Sequence, residues 1–221
     1  MTGPRQWVEC DPAEVGVDAS GLAQALRLVE RRGAAAQLCV LRAGKVVLDR
    51  AFGCGPRSLF WTFSAGKPYT AVLVHLLAEQ GHLSLDAPVA RYWPEFARNG
   101  KERITVRQVL QHRTGLPTAG SALGDTLAMT DWSRSVRRIR DARPRWPAGA
   151  VPAYQFVIFG FILGEIIKRV TDMQISVLLR FEILDPLGVH DTHLGLPDDL
   201  WPRHVPMRAA GPAGTLVRAV S

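Results

Sequence analysis

Apolar positions recur at helical spacing between residues 18 and 32, where Leu22, Ala25, Leu26 and Val29 share a face and Gly33 closes the segment. The period then changes. Residues 37–42 and 46–52 are short runs rich in Val, Leu and Cys, joined through Ala43, Gly44 and Lys45, and they predict a β-hairpin. From residue 59 onward the chain reads as mainly helical. A helix through Leu76, Leu77 and Ala78 ends near Gly81, and its surface is apolar almost all round, which predicts a buried central helix. Thr105-Val106-Arg107-Gln108 has the form of a capping box and opens a short helix ending near Gly115. Pro147, Gly149 and Pro152 interrupt the chain before another apolar helix from about Phe156 to Val170. Within it, Gly160 and Gly164 read as close packing of a buried helix. The stretch from Leu187 to Ser221, with Pro197, Pro202, Pro206 and Pro212, is loop-like.

Composition narrows the class. With 47% hydrophobic residues, the 221-residue chain has ample core material, so an intrinsically disordered protein is excluded. The expected organisation is one domain over residues 1–221: helix and hairpin (18–57), a mainly helical region (58–199) and a loop-like tail (200–221). Cys10, Cys39 and Cys54 form no C-x-x-C pair and have no histidine at ligand spacing, so neither a disulfide framework nor a metal site is expected. The longest apolar run, 156–164, is stopped by Glu165 and is too short to span a bilayer. The first residues, MTGPRQWVECDPAEVG, carry acids and a proline where a signal peptide needs a basic start and an apolar stretch, so the expected compartment is cytoplasmic.

The net charge of +7 raises the question of nucleic acid, because Arg134, Arg137, Arg138, Arg140, Arg143 and Arg145 cluster. No stacking aromatics interleave with them. Trp132, Val136 and Ile139 supply a buried side instead, so the cluster reads as the solvated face of an amphipathic helix, and no nucleic-acid partner is expected.

The candidate chemistry lies in Ser64-Ala65-Gly66-Lys67, at the entry to the first apolar helix. Residues at i and i+3 stand one turn apart and about 60° around an α-helix, so hydroxyl and amine share a face. A serine hydroxyl becomes a useful nucleophile when a base takes its proton, and a lysine serves as that base when burial lowers its pKa. Phe60, Trp61 and Phe63 are expected to supply the burial. The first-turn N–H groups favour negative charge developing at Ser64. A Ser-His-Asp reading through His112, with Asp86 or Asp125 as orienter, is the weaker alternative, since Ser64 lies in no Gly-x-Ser-x-Gly elbow.

The surroundings of the serine and lysine carry a resemblance. Thr70-Ala71, Gly81-His82-Leu83-Ser84-Leu85-Asp86-Ala87-Pro88-Val89, Tyr92-Trp93-Pro94-Glu95-Phe96, the segment from Ile104 to Pro117 with its Gln111-His112-Arg113-Thr114-Gly115, and Leu184-Asp185-Pro186-Leu187-Gly188 are similar to the β-lactamase-related serine hydrolases. That family includes class C β-lactamases, penicillin-binding carboxypeptidases and cytoplasmic esterases. The resemblance runs from about residue 18 to 199. It implies an α/β (α+β) fold of the β-lactamase/transpeptidase type, an antiparallel sheet flanked by helices plus an all-helical region.

The family sets a tyrosine motif against the serine, and of Tyr69, Tyr92 and Tyr154 the last fits, giving Ser64, Lys67 and Tyr154 as catalytic residues with no cofactor. Tyr154-Gln155-Phe156 departs from the family pattern in carrying phenylalanine where Asn or Ser is frequent. The family's Lys-Thr-Gly-like third motif has no convincing counterpart. Gly211-Pro212-Ala213-Gly214-Thr215 lacks its leading cation or aromatic, so the C-terminal strands and the second oxyanion donor are expected to be missing. The resemblance thus implies a carboxylesterase acting on small esters, weakened or inactive by incompleteness and prone to associate through an unfinished sheet edge. A non-catalytic scaffold protein and a β-lactamase or D-Ala carboxypeptidase are the alternatives.

Overall fold

The hairpin forms where the period-2 runs predict it. In the computed structural model, which describes residues 8–207, β1 (Ala36–Arg42) pairs antiparallel with β2 (Lys45–Phe52), and Ala43 and Gly44 make the turn at φ 50° and 75°. Two successive positive φ values match the right-handed twist of the flanking strands. A register shift at Val40/Leu41 accompanies a break in alternation, and β2 buries Val46, Val47 and Leu48 in succession. The other edge of β2 is bridged by residues 9–10: the Cys10 N–H donates to the Val46 carbonyl, and Glu9 accepts from the Asp49 N–H and pairs with Arg50. Among the described residues the sheet has two strands.

Two compact units divide the described residues, one drawn from residues 8–61 with 196–207 and one of residues 62–195. The first holds the hairpin and α1 (Ala19–Arg31), whose N-cap Asp18 accepts from the Ser20 and Gly21 amides. Its Leu22, Leu26 and Val29 stripe is half-buried. Part of the expected loop is ordered by pairing. Asp198–Arg203 forms a 3₁₀ turn, Leu59 bridges His204, and the Arg203 guanidinium donates to the Arg57 carbonyl. The string Gly211-Pro212-Ala213-Gly214-Thr215 lies outside the described residues.

The second unit is helical. α2 (Lys67–Glu79) packs on α6 (Ile158–Thr171) and α7 (Ile175–Leu179), while α6 also contacts α3 (Val106–Leu110) and α5 (Trp132–Asp141). α4 (Ala122–Ala128) precedes α5. α3 carries the predicted capping box, with Thr105 and Gln108 each bonding the other's backbone, but ends at Leu110. The core joins Leu73, Val74 and Leu77 of α2 to Ile162, Leu163, Ile166 and Ile167 of α6 and to Trp93 and Phe96. Each such side chain stabilises the unit by about 2 kcal/mol on burial.

α2 differs from the expectation of burial all round. Its partners α6 and α7 cover one side, and Val72 remains exposed. The Gly160/Gly164 pair also divides. A Cβ on Gly164 would stand 2.6 Å from Cη2 of Trp132, whereas one on Gly160 would meet nothing within 4 Å. The Trp132 indole N–H donates to buried Glu165 (2.9 Å), which also accepts from Arg169 one turn on. Lys101, fully buried, donates to the carbonyls of Arg98, Arg140 and Ala142 and so ties down the C-terminal end of α5. Burial pulls its pKa down to about 8, which leaves the ammonium charged at neutral pH. On α5 itself Ile139 is buried, Arg134 and Arg137 are exposed, and Arg138 reaches buried Asp125 at 3.0 Å.

Candidate active site

Ser64 precedes α2 instead of lying within it. Residues Phe63–Gly66 form a 3₁₀ turn that runs directly into α2 at Lys67. The difference matters, because with three residues per turn positions i and i+3 eclipse, where an α-helix would leave them offset. The Lys67 ammonium accordingly donates to Ser64 Oγ at 3.0 Å. Pro68 suits this junction, as a first helical turn needs no donor from it. Phe63, immediately before the serine, adopts φ 48°, a left-handed conformation that costs a non-glycine residue about 1 kcal/mol. Strain of this kind concentrates where a neighbouring group must be held in one orientation.

Tyr154 comes to the same point from the loop before α6. Lys67 Nζ donates to the Phe156 carbonyl (3.0 Å) and stands 4.8 Å from the centroid of the Tyr154 ring. Hydrogen bonds from Lys67 first, and Ser64 second, draw the Tyr154 phenol below its ordinary value, because both favour the phenolate. The three residues singled out in the sequence therefore converge. Phe156, the departure from the family's tyrosine motif, contributes its main-chain carbonyl to Lys67 while its ring remains exposed.

The aromatic collar expected around Lys67 is a different matter. Of the three aromatic residues expected to supply burial, Phe60 is half-buried, while Trp61 and Phe63 are 54% and 58% exposed and form no buried wall. Lys67 donates instead to neutral polar atoms, Ser64 Oγ and the Phe156 carbonyl. The Ser-His-Asp alternative also finds no geometry, since Asp86 pairs with Arg107 and Asp125 with Arg138 and the Ala119 amide. His112 instead uses Nδ1 to accept from the Gln155 amide at 3.1 Å, and its ring lies 4.8 Å from Tyr154 and 5.0 Å from Phe159. Gln155 is fully buried and donates through Nε2 to Thr114 Oγ1. The sequence drew attention to His112 as a rival base. That it and Gln155 brace the tyrosine loop is a tertiary contact across more than forty positions, and no local periodicity signals it.

A family model described as Beta-lactamase matches residues 22–220. The chain belongs to the Beta-lactamase family. Within it, the chain is 34% identical over 189 residues to the Esterase/beta-lactamase LipL of Mycobacterium tuberculosis, covering 81% of this chain and 42% of that protein. It is 30% identical to the Esterase EstB of Burkholderia gladioli, covering 82% and 54%. Among solved structures, EstA of Arthrobacter nitroguajacolicus Rue61a superposes with a TM-score of 0.77 at 28% identity, over 95% of this chain and 56% of that one. The fold is thus the β-lactamase/transpeptidase type expected from the motifs. The chain spans about half the length of the curated relatives it matches.

Proposed function

We propose that this Beta-lactamase family chain carries the acylation machinery of a serine hydrolase that acts on small carboxylic esters. The observation that carries the reading is the Lys67 ammonium, which bridges Ser64 Oγ and the Phe156 carbonyl beside a Tyr154 phenol held toward its phenolate form. Ser64 Oγ attacks the ester carbonyl and its proton passes to Tyr154 Oη, while Lys67, hydrogen-bonded to the serine oxygen and the Phe156 carbonyl, orients the nucleophile. The tetrahedral intermediate expels the alkoxide, which takes the proton back from Tyr154. Water then attacks the acyl-Ser64, loses its proton to Tyr154, and Ser64 leaves reprotonated. No group beyond the chain and water is required by this proton and electron count.

Esters are favoured over β-lactams because Phe156 presents an exposed apolar ring where a polar side chain suits an amide. Both curated relatives described above carry esterase in their names. The double name of the Mycobacterium tuberculosis relative supports a second reading, β-lactam hydrolysis by the same serine.

Parallel rates on a short-chain nitrophenyl ester and a chromogenic cephalosporin separate the two, with the ester expected to turn over faster. Ser64→Ala should abolish either activity, and Lys67→Met should cost on the order of a thousandfold in kcat/KM. Hydrolysis unchanged in both variants would mean a scaffold protein with a background reaction and would overturn the proposal.

A further inference from the structure

We propose that His112 is a positioning residue for Tyr154, clamping the tyrosine loop on both sides of the phenol. The inference rests on the serine hydrolase reading above. Two bonds define the clamp. The His112 carbonyl accepts from the Ala153 amide at 2.8 Å, and Nδ1 accepts from the Gln155 amide at 3.1 Å. Tyr154 is thus the one residue between two anchored neighbours. Its ring, 51% exposed and so weakly held by packing of its own, rests 4.8 Å from the imidazole.

The chemistry of the second bond fixes the state of the histidine. A backbone N–H can only donate, so Nδ1 carries no proton and the imidazole is neutral with its proton on Nε2. Burial, reinforced by the nearby Lys67 charge, holds the pKa of His112 below its ordinary value, against a smaller opposing pull from the Gln155 side chain. The backbone is specialised for the same purpose. His112 adopts φ 56°, which points its carbonyl and its ring at the same loop. Glycine enters that region readily, and asparagine, aspartate and histidine do so more often than other residues.

The residues that follow His112 continue the brace. Thr114 Oγ1 accepts from Gln155 Nε2, the Arg113 carbonyl accepts from the Gly149 amide, and the Arg113 guanidinium donates back to the Gly149 carbonyl. Gly115, at φ 77°, lets the two segments meet, because a Cβ there would collide with the Trp146 carbonyl. The loop is therefore held at several points, and among the described residues only His112 hydrogen-bonds the residues on both sides of Tyr154.

Two substitutions that tolerate the left-handed backbone isolate the side chain. His112→Gly keeps the carbonyl bond and removes Nδ1 and the ring. His112→Asn offers a carbonyl oxygen on Cγ in place of Nδ1 and restores the acceptor. In nitrophenyl ester turnover, His112→Gly should lose about a hundredfold in kcat with KM nearly unchanged, and His112→Asn should recover most of that loss. A second readout needs no activity. With Tyr69, Tyr92 and Tyr154 as the tyrosines, ultraviolet difference titration against Tyr154→Phe isolates the Tyr154 phenol. That phenol should titrate low in wild type and His112→Asn and move up in His112→Gly. If Tyr154 titrates and the ester turns over in His112→Gly as in wild type, His112 positions nothing. Equal loss in both folded variants would likewise overturn the acceptor role. Wild-type protein that hydrolyses no ester yet shows the Gly-specific titration shift would sink the hydrolase reading and leave the clamp standing.

Discussion

Ser64, Lys67 and Tyr154 meet within hydrogen-bonding reach, and Lys67 and Ser64 together hold the Tyr154 phenol below its ordinary value. His112 adds an acid-sensitive support. Its folded pKa lies below the unfolded value, so the unfolded chain binds the extra proton first. The stability contributed by the neutral clamp is complete above about pH 6.5 and is lost as pH falls toward the folded pKa. Denaturant titrations between pH 7 and pH 5 should therefore show wild type losing stability that His112→Asn retains, and a parallel decline in both would contradict the neutral-clamp assignment. The serine and lysine were legible in the sequence because their spacing is local. Tyr154 was legible only through the family motif, since its proximity to Lys67 is set by a loop almost ninety positions away. The exposure of Phe63 and Trp61 could not be read from their apolar character, which says what a side chain favours and not what surrounds it.

At the scale of elements, the turn ahead of α2 decides the geometry of the pair. A 3₁₀ turn eclipses Ser64 with Lys67, and the sequence pattern, which detects apolar faces, does not distinguish one helical turn of 3₁₀ from the first turn of an α-helix. The hairpin, α1, the capping box of α3 and the apolar α6 were each legible because a period or a cap marks them. The two glycines of α6 give the packing a sharp test. Gly164→Ala drives a methyl into the Trp132 ring and should cost about 1–3 kcal/mol. Gly160→Ala meets open space and should stabilise the helix by about 0.5–1 kcal/mol. Urea unfolding of the two variants measures both signs at once; equal effects would mean that Trp132 does not pack on Gly164.

At the scale of the molecule, the family assignment and the fold rest on most of the chain, while the relatives extend to roughly twice its matched length. The helical unit of residues 62–195 holds Ser64, Lys67, Tyr154 and His112. Among the described residues no helix is long and apolar enough to cross a membrane. The central claim is that Ser64 is a nucleophile activated where it stands. Intact-mass spectrometry after exposure of the chain to a fluorophosphonate tests it most directly. One phosphonyl adduct on wild type, absent from Ser64→Ala and strongly slowed in Tyr154→Phe, is the predicted result; an adduct that persists in Ser64→Ala would contradict the account.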